Sequence, residues 1–436
     1  MAKIVYIAMS TDIVHSGHIN VINEGAKYGD VVIGVLSDEA IAKYKRTPLL
    51  SFDERKKIFE NIKGVTKVVK QETLDYTGVL NELKPDYVIH GDDWKNGVQS
   101  EIREKVINQL KGWGGQLIEV PYTKNVSGTE LEAKMRPLLG TPDVRRGRLK
   151  KMLGLKPFVR VIEASNGLSG IIVENTKYVD PETASVKEFD AMWVSSLCDS
   201  TFKGKPDTEL VDLTSRLNTI NEIMEVTTKP IILDGDTGGL TEHFVFNVKT
   251  LERIGVSAII IEDKTGLKKN SLFGTDVQQT QDDPDNFAAK INAGKKAQVT
   301  PDFMIFARIE SLILKKGEED AMMRARKYIA AGADGIMIHS KEKDGKEVFD
   351  FMAAFRKEYP HIPLILVPTT YNQFTEEELA AKGANIIIHA NHLLRAAYPA
   401  MVNTATCILE HGRSLEASQQ YCMPIKQVIE LIPGGK

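Results

Sequence analysis

The chain has 436 residues, more than one ordinary domain holds, so two domains are the natural expectation. A hydrophobic share of 42% beside a charged share of 26% is that of a globular protein in water, and no apolar stretch approaches the roughly 20 residues of a membrane span. The formal charge of −3 leaves no electrostatic footprint for nucleic acid or an anionic membrane, and the scattered Cys198, Cys407 and Cys422 suit a reducing cytoplasm rather than a disulfide framework.

Ala2-Lys-Ile-Val-Tyr-Ile-Ala-Met9 is too short for a secretory core and reads as a first strand. Further strand-like runs are Val31–Leu36, Tyr87–Ile89 and Gln116–Val120, separated by helical stretches at Ile19–Tyr28, Asp53–Ile62 and Ser100–Lys111. Residues 1–135 therefore predict a doubly wound, Rossmann-like α/β domain, whose ligands sit beyond the strand C-termini. Within it, Asp12-Ile-Val-His15-Ser-Gly17-His18 follows the first strand and opens a helix. That spacing puts two imidazoles at a helix N-terminus, where free N–H groups and the dipole favour phosphate. A zinc pair is the other reading of two histidines, but no third ligand is evident.

Gly140-Thr-Pro-Asp-Val-Arg-Arg-Gly-Arg-Leu-Lys-Lys151 reads as the core of a basic, solvated linker over 136–155, with phosphate or lipid binding as the alternative. From 156 to 436 the pattern changes to eight short, continuous, β-branched runs: 159–164, 191–195, 230–233, 258–261, 303–307, 335–338, 363–367 and 385–388. Such runs fit parallel strands buried on both faces. Helical segments lie between them, among them Asp207–Ile223, Glu318–Ala331 and Lys346–Tyr359, and Ser169–Glu174 is read as the first of the set. The alternation predicts a (β/α)8 TIM-type barrel, with its active site at the C-terminal strand ends. Ser195, Asp234, Asp236, Glu262, Arg308 and His339 all end or closely follow one of these runs. Asp234, Asp236 and Glu262 form a hard-oxygen set suited to Mg2+. The lysine-rich segment after Glu262 supplies cations and an amide for an anionic substrate. Arg308 in an apolar setting requires an anion, either a substrate phosphate or carboxylate or its neighbour Glu310. His339 is a phosphate contact or a satisfied core histidine, and Asp207 taken alone is a helix-cap candidate.

Glu262-Asp-Lys264-Thr-Gly-Leu-Lys268-Lys-Asn270-Ser271 and Asp234-Gly-Asp236-Thr-Gly238 together resemble the phosphoenolpyruvate mutase branch of the isocitrate lyase superfamily, whose loop reads E-D-K-x-x-x-K-x-N-S. The resemblance implies that Asp234, Asp236 and Glu262 hold Mg2+. It also implies that Ser195, Ser196 and Leu197 grip the substrate carboxylate, with Ser271 completing the substrate contacts. Ser196 stands where the family usually has glycine. Asp207, Lys268, Asn270, Arg308 and His339 then take catalytic roles around the phosphoryl group in transit. The implied reaction interconverts phosphoenolpyruvate and phosphonopyruvate. A phosphonopyruvate hydrolase shares the scaffold, and the Lys268-x-Asn270-Ser271 loop favours the mutase. A carbon–carbon lyase needs a cysteine in this loop, and none lies between Cys198 and Cys407.

The N-terminal His15-x-Gly17-His18, with Lys45, Ser51-Phe-Asp-Glu-Arg55, His90-Gly-Asp92-Asp-Trp94 and the segment 122–129, resembles the H-x-G-H nucleotidyltransferases, most closely the cytidylyltransferases. This implies CTP and a small phosphonate or phosphate as co-substrates, catalysis by His15 and His18, and nucleotide contacts from Gly17, Lys45, Arg55, Asp92, Ser127 and Thr129. The family's R-T-E-G-I-S-T-T becomes Tyr122-Thr-Lys-Asn125-Val-Ser127-Gly-Thr129 here, without the arginine. A non-catalytic nucleotide-binding module and an adenylyltransferase stay open beside the cytidylyltransferase. Family members imply a homo-oligomer, a dimer or tetramer with swapped C-terminal helices.

Overall fold

The computed structural model describes residues 3–432, apart from 12, 45–47, 96–98, 122–134, 181–185 and 267. Its first part is a parallel sheet of β1 (Ile4–Met9), β2 (Asp30–Leu36), β3 (Val65–Gln71), β4 (Tyr87–Gly91) and β5 (Gln116–Val120) in the order β3-β2-β1-β4-β5. The order reverses between β1 and β4, the switch point at which doubly wound sheets open a crevice. Strand β3 was not expected. Lys67 and Lys70 interrupt its apolar pattern because it is an edge strand, where charge discourages pairing with another chain.

Among the described residues, eight parallel strands close the second part into a barrel. They are β6 (Val159–Glu163), β9 (Ala191–Val194), β10 (Ile231–Asp234), β11 (Ala258–Glu262), β14 (Met304–Ile309), β15 (Gly335–Ile338), β16 (Leu364–Leu366) and β17 (Ile386–His389). All eight runs expected as strands are strands, and Gly167–Asn175 is helical as expected. Two small antiparallel ribbons decorate the barrel: β7 (Lys177–Val179) with β8 (Val186–Glu188), and β12 (Lys264–Thr265) with β13 (Thr280–Gln281). The second ribbon pins both ends of the loop that follows Glu262.

Side-chain alternation explains where the site forms. Ala191 and Trp193, Ile232, Ala258 and Ile260, Met304 and Phe306, Met337 and Ile365 fill the barrel interior as one buried cluster. Counting on in steps of two brings Ser195, Asp234, Glu262, Arg308 and His339 to the same inward side, one layer nearer the C-terminal rim. The residues between them, such as Ile259, Ile261, Ile305 and Ala307, belong to the cluster that packs strands against the surrounding helices. Each fully buried Ile or Phe there contributes on the order of 1.5–3 kcal/mol.

The segment 136–155 departs from the expected solvated linker. Pro142–Leu155 is an α-helix, with Leu149 and Met152 buried in the same cluster as the barrel interior. Arg145 and Arg146 are buried too: Arg145 donates to the Met224 carbonyl at 3.2 Å and Arg146 to that of Glu252 at 2.8 Å. The basic run is therefore the floor of the barrel, its guanidiniums spent on the C-terminal carbonyls of neighbouring helices. At Gly255 (φ +97°), which ends the helix Thr241–Ile254, a Cβ would lie 2.6 Å from the Pro142 Cα, so this close approach requires glycine.

The chain closes with helices His392–His411, Leu415–Gln420 and Ile425–Glu430. Tyr398, Met401, Leu409 and Ile425 are each at least 64% exposed, an apolar face left open among the described residues. Among the described residues no helix is long and apolar enough to cross a membrane.

Candidate active site

At the C-terminal rim of the barrel a cavity of about 60 Å3 is lined by Ser195, Ser196, Leu197, Asp207, Asp234, Lys268, Asn270, Ser271, Arg308 and His339, with Trp193, Thr369 and Asn391 among the other walls. Ser195 caps the helix Ser196–Phe202, its hydroxyl accepting from the Cys198 N–H at 3.4 Å. Ser196, at the position where glycine is usual, gives both its N–H (3.1 Å) and its hydroxyl (2.8 Å) to Asp234 Oδ2. Asp207 is not a helix cap: Asp212 caps the helix Leu213–Val226, and Asp207 lies in the irregular stretch before it. From there it reaches the loop, accepting from Asn270 Nδ2 at 3.0 Å and facing Lys268 Nζ at 3.4 Å.

Two charge networks fill the site. In one, Lys268 Nζ lies 2.6 Å from Asp236 Oδ1 and 3.9 Å from Asp234 Oδ2, and donates to Ser196 Oγ. In the other, Arg308 Nε donates to Glu310 Oε1 at 2.6 Å and Arg308 Nη2 to Ser271 Oγ at 2.6 Å, while Nη1 faces Glu262 at 3.3 Å. The Ser271 hydroxyl donates to Glu310 Oε2 at 2.5 Å and accepts from Lys264 Nζ at 2.9 Å. Both expected roles of Arg308 meet here, since its head is held by Glu310 and still lines the cavity.

Burial opposes charge at every one of these groups, and the neighbours decide the outcome. Desolvation favours the neutral form of Glu310, but Arg308 and Lys264 override it and hold the carboxylate down at about 2. Asp234 is likewise desolvated, yet Lys268 and Arg216 keep its pKa well below the ordinary carboxylate value. For Glu262 burial wins over Arg308 and Lys268, and the pKa rises. His339 falls to about 3, through burial and then Arg308, so at neutral pH it is an uncharged imidazole. Its Nδ1 is buried without a hydrogen-bond partner.

Both Glu262 oxygens are buried with no hydrogen-bond donor; their contacts are Lys264 and Arg308, each at 3.3 Å. A buried carboxylate left that way, beside Asp234 and Asp236, suits a hard divalent cation. The three do not converge as a ligand set here: among the described residues no three His, Cys, Asp or Glu side chains do. The Lys268 ammonium lies among the aspartates instead, so the donor chemistry fits the ion while the present spacing is set by lysine.

Sequence reasoning missed two residues of the site. Arg216 sits in the buried stripe Arg216-Thr219-Ile220-Ile223 of its helix and pairs with Asp236 Oδ2 at 2.9 Å. Glu163 ends β6 and accepts from the Leu394 N–H at 3.2 Å, holding the start of the last long helix at the rim. In each case the legible signal was a charged residue at a core position of an apolar pattern.

In the first part, His15 is the N-cap of the helix Ser16–Gly25 and His18 its third residue. His15 Nδ1 accepts from the Gly17 N–H at 3.1 Å, and His18 Nδ1 accepts from the His15 N–H at 3.3 Å. This reciprocal capping puts the proton of each neutral ring on Nε2 and holds the rings 3.9 Å apart. Burial lowers the pKa of His15. Asp92 directly follows β4, next to β1, so it shares the switch-point edge with the histidines. Trp94 stacks on His90 at 3.9 Å. Arg55 is 1% exposed and pairs with Asp38 at 2.5 Å. Ser51 and Glu54 of the same motif form a capping box. Lys45, Ser127 and Thr129 lie outside the described residues.

Residues 149–409 match the family model described as phosphoenolpyruvate phosphomutase. The chain belongs to that family. Residues 10–134 match the model described as cytidylyltransferase-like. The chain is 35% identical to a phosphoenolpyruvate phosphomutase of Tetrahymena pyriformis over 65% of its own length and 90% of the relative's. It is 36% identical to a phosphonopyruvate hydrolase of a Variovorax species over 56% and 83% respectively. Among solved structures, a phosphoenolpyruvate phosphomutase from Streptomyces platensis superposes with a TM-score of 0.58 at 34% identity, covering 65% of this chain and 93% of that one. A phosphonopyruvate hydrolase solved with oxalate and Mg2+ gives 0.57 at 30%, covering 66% and 94%. Identity alone does not separate the two chemistries, and the loop residues must.

Proposed function

We propose that the barrel interconverts phosphoenolpyruvate and phosphonopyruvate by intramolecular phosphoryl transfer, assisted by Mg2+. The observation that carries this reading is the junction of Lys268, Asn270 and Ser271 from one loop with Asp207, Arg308 and His339 in a single cavity at the barrel rim. Asp234, Asp236 and Glu262 would hold the ion, which supplies a Lewis acid for the enolate oxygen.

The protein's own groups account for the rest. A loose phosphoryl transition state spreads negative charge over three oxygens and needs surrounding donors more than a base. Arg308, held charged and oriented by Glu310, offers a cationic donor at the cavity wall. Neutral His339 donates a hydrogen bond without adding a proton that could leave with the phosphate. Asn270, tied to Asp207, and Lys268 close the opposite side. The N-terminus of the helix Ser196–Phe202, which opens at the cavity wall, would meet the substrate carboxylate. Ser271 fastens the loop to Glu310 and Arg308 beneath it, which keeps water from the migrating group. The test is conversion of phosphonopyruvate to phosphoenolpyruvate that stops when EDTA removes the metal and returns with Mg2+. Release of pyruvate and phosphate as main products would favour the hydrolase.

The N-terminal domain, we infer, transfers a cytidylyl group from CTP to a small phosphonate or phosphate, in a cytoplasmic homo-oligomer of phosphonate biosynthesis. Paired, backbone-locked His15 and His18 at a helix N-terminus support that reading. Pyrophosphate release from CTP with 2-aminoethylphosphonate, 2-hydroxyethylphosphonate, phosphocholine or glycerol phosphate tests it. Binding of CTP with no release from any of these makes the domain a nucleotide sensor.

A further inference from the structure

Arg216 is a buried guanidinium to which no role has been given. It projects from the inner stripe of the helix Leu213–Val226 and is 4% exposed. One arm, Nη1, donates to the Asp234 carbonyl, and the other, Nη2, lies 2.9 Å from Asp236 Oδ2. The fork thus straddles Gly235 and grips two successive acidic residues, one by its backbone and one by its side chain.

Asp236 needs such a grip. Its φ is +52°, a left-handed conformation that L residues other than Asn and Asp seldom adopt. Its carbonyl accepts from the Glu262 N–H at 2.8 Å, which ties it to the neighbouring strand end. Its two carboxylate oxygens are divided: Oδ2 belongs to Arg216, while Oδ1 faces Lys268 at 2.6 Å. Arg216 stands on a scaffold helix, whereas Lys268 stands on the loop.

We propose that Arg216 is a positioning residue that fixes the Asp234–Asp236 turn and orients Asp236 so that Oδ1, the oxygen that faces Lys268 here, is directed toward the divalent cation's place; this rests on the metal-assisted reading above. Arginine suits the task because a planar fork can hold a carbonyl and a carboxylate at once, which a lysine ammonium cannot do in the same geometry. An orienting partner behind a metal ligand typically governs metal affinity by about 10–100-fold.

The test uses the full chain and three proteins: wild type, Arg216→Met and Arg216→Lys. Mg2+ and Mn2+ binding is measured by calorimetry without substrate, and turnover of phosphonopyruvate is followed as Mg2+ is raised. For Arg216→Met the expected result is a dissociation constant raised about 10–100-fold, with most of kcat recovered at saturating Mg2+. Added guanidinium at millimolar concentration should restore part of the affinity. Arg216→Lys should fall between the two, and it serves as the decisive variant if the methionine protein does not fold. Metal affinity within twofold of wild type in the folded variant overturns the proposal. So does a kcat that stays low at saturating Mg2+ with affinity intact. Wild type that binds neither ion overturns the metal-assisted reading itself, and this proposal with it.

Discussion

Replacing Ser271 by alanine removes one hydroxyl that three charged groups share. Ser271 Oγ donates to Glu310 at 2.5 Å and accepts from Arg308 at 2.6 Å and Lys264 at 2.9 Å. Hydrogen bonds to charged partners contribute about 1.5–3 kcal/mol each. The three do not add, because Arg308 and Glu310 keep their own contact at 2.6 Å and Lys264 stays 3.4 Å from Glu310. The net loss to the closed loop is therefore about 2 kcal/mol, which is roughly 30-fold in its closed-to-open ratio. Since the substitution leaves the cavity-facing head of Arg308 in place, the effect should fall on closure rather than on binding. The expected result is kcat reduced by up to about 30-fold, a larger share of pyruvate and phosphate among the products, and faster tryptic cleavage after Lys269. Retention of kcat within twofold, with cleavage unchanged, would refute the latch.

Asp236→Ala or Glu262→Gln should cut mutase turnover by at least about 100-fold at any Mg2+ concentration, measured from phosphonopyruvate, while far-UV circular dichroism stays that of wild type. A chain beginning at residue 141 should fold and isomerise alone, whereas one beginning at 156 should be insoluble, because Leu149 and Met152 floor the barrel. His18→Ala should slow pyrophosphate release from CTP and acceptor by about 10²–10³ and leave the mutase rate unchanged. Glu376 provides a pH test away from the site: burial works against its charge, but His389 at 2.9 Å and Arg160 hold it down at about 2, against an ordinary value of 4.5. Its stabilisation is complete above pH 4.5 and is lost as pH falls through about 2, so Glu376→Gln should cost about 1–3 kcal/mol at neutral pH and flatten the acid limb of unfolding, read by urea titration at several pH values.

The barrel was legible because its strands are continuous apolar runs with acids or bases at their ends, as in Ala258 through Glu262 and Met304 through Arg308. Their place at the ends of these runs already gathered Ser195, Asp234, Glu262, Arg308 and His339 at the C-terminal rim, while the inner face they share shows only in the packed barrel. What stayed hidden were elements whose residues answer to tertiary context. The run at 140–151 looks like a solvated linker because Arg145, Arg146, Arg148, Lys150 and Lys151 crowd its second half; only the helix ends and loops they meet turn the arginines into buried donors. Strand β3 carries charge because one of its flanks is an edge. Arg216 and Glu163 sit at core positions of apolar patterns, but their roles show only once the opposite residues are known. Arg55 of the family segment is a buried residue paired with Asp38, a contact that the sequence does not reveal.

One measurement separates the central account from its nearest rival. Wild-type protein is given phosphonopyruvate and Mg2+ in water enriched in oxygen-18, and the phosphorus products are followed by NMR. A site in which Arg308, His339, Asn270 and Lys268 hold the migrating group away from water predicts phosphoenolpyruvate as the main phosphorus product, with no oxygen-18 in its phosphoryl group. Inorganic phosphate carrying oxygen-18 as the main product, with pyruvate beside it, would contradict the account.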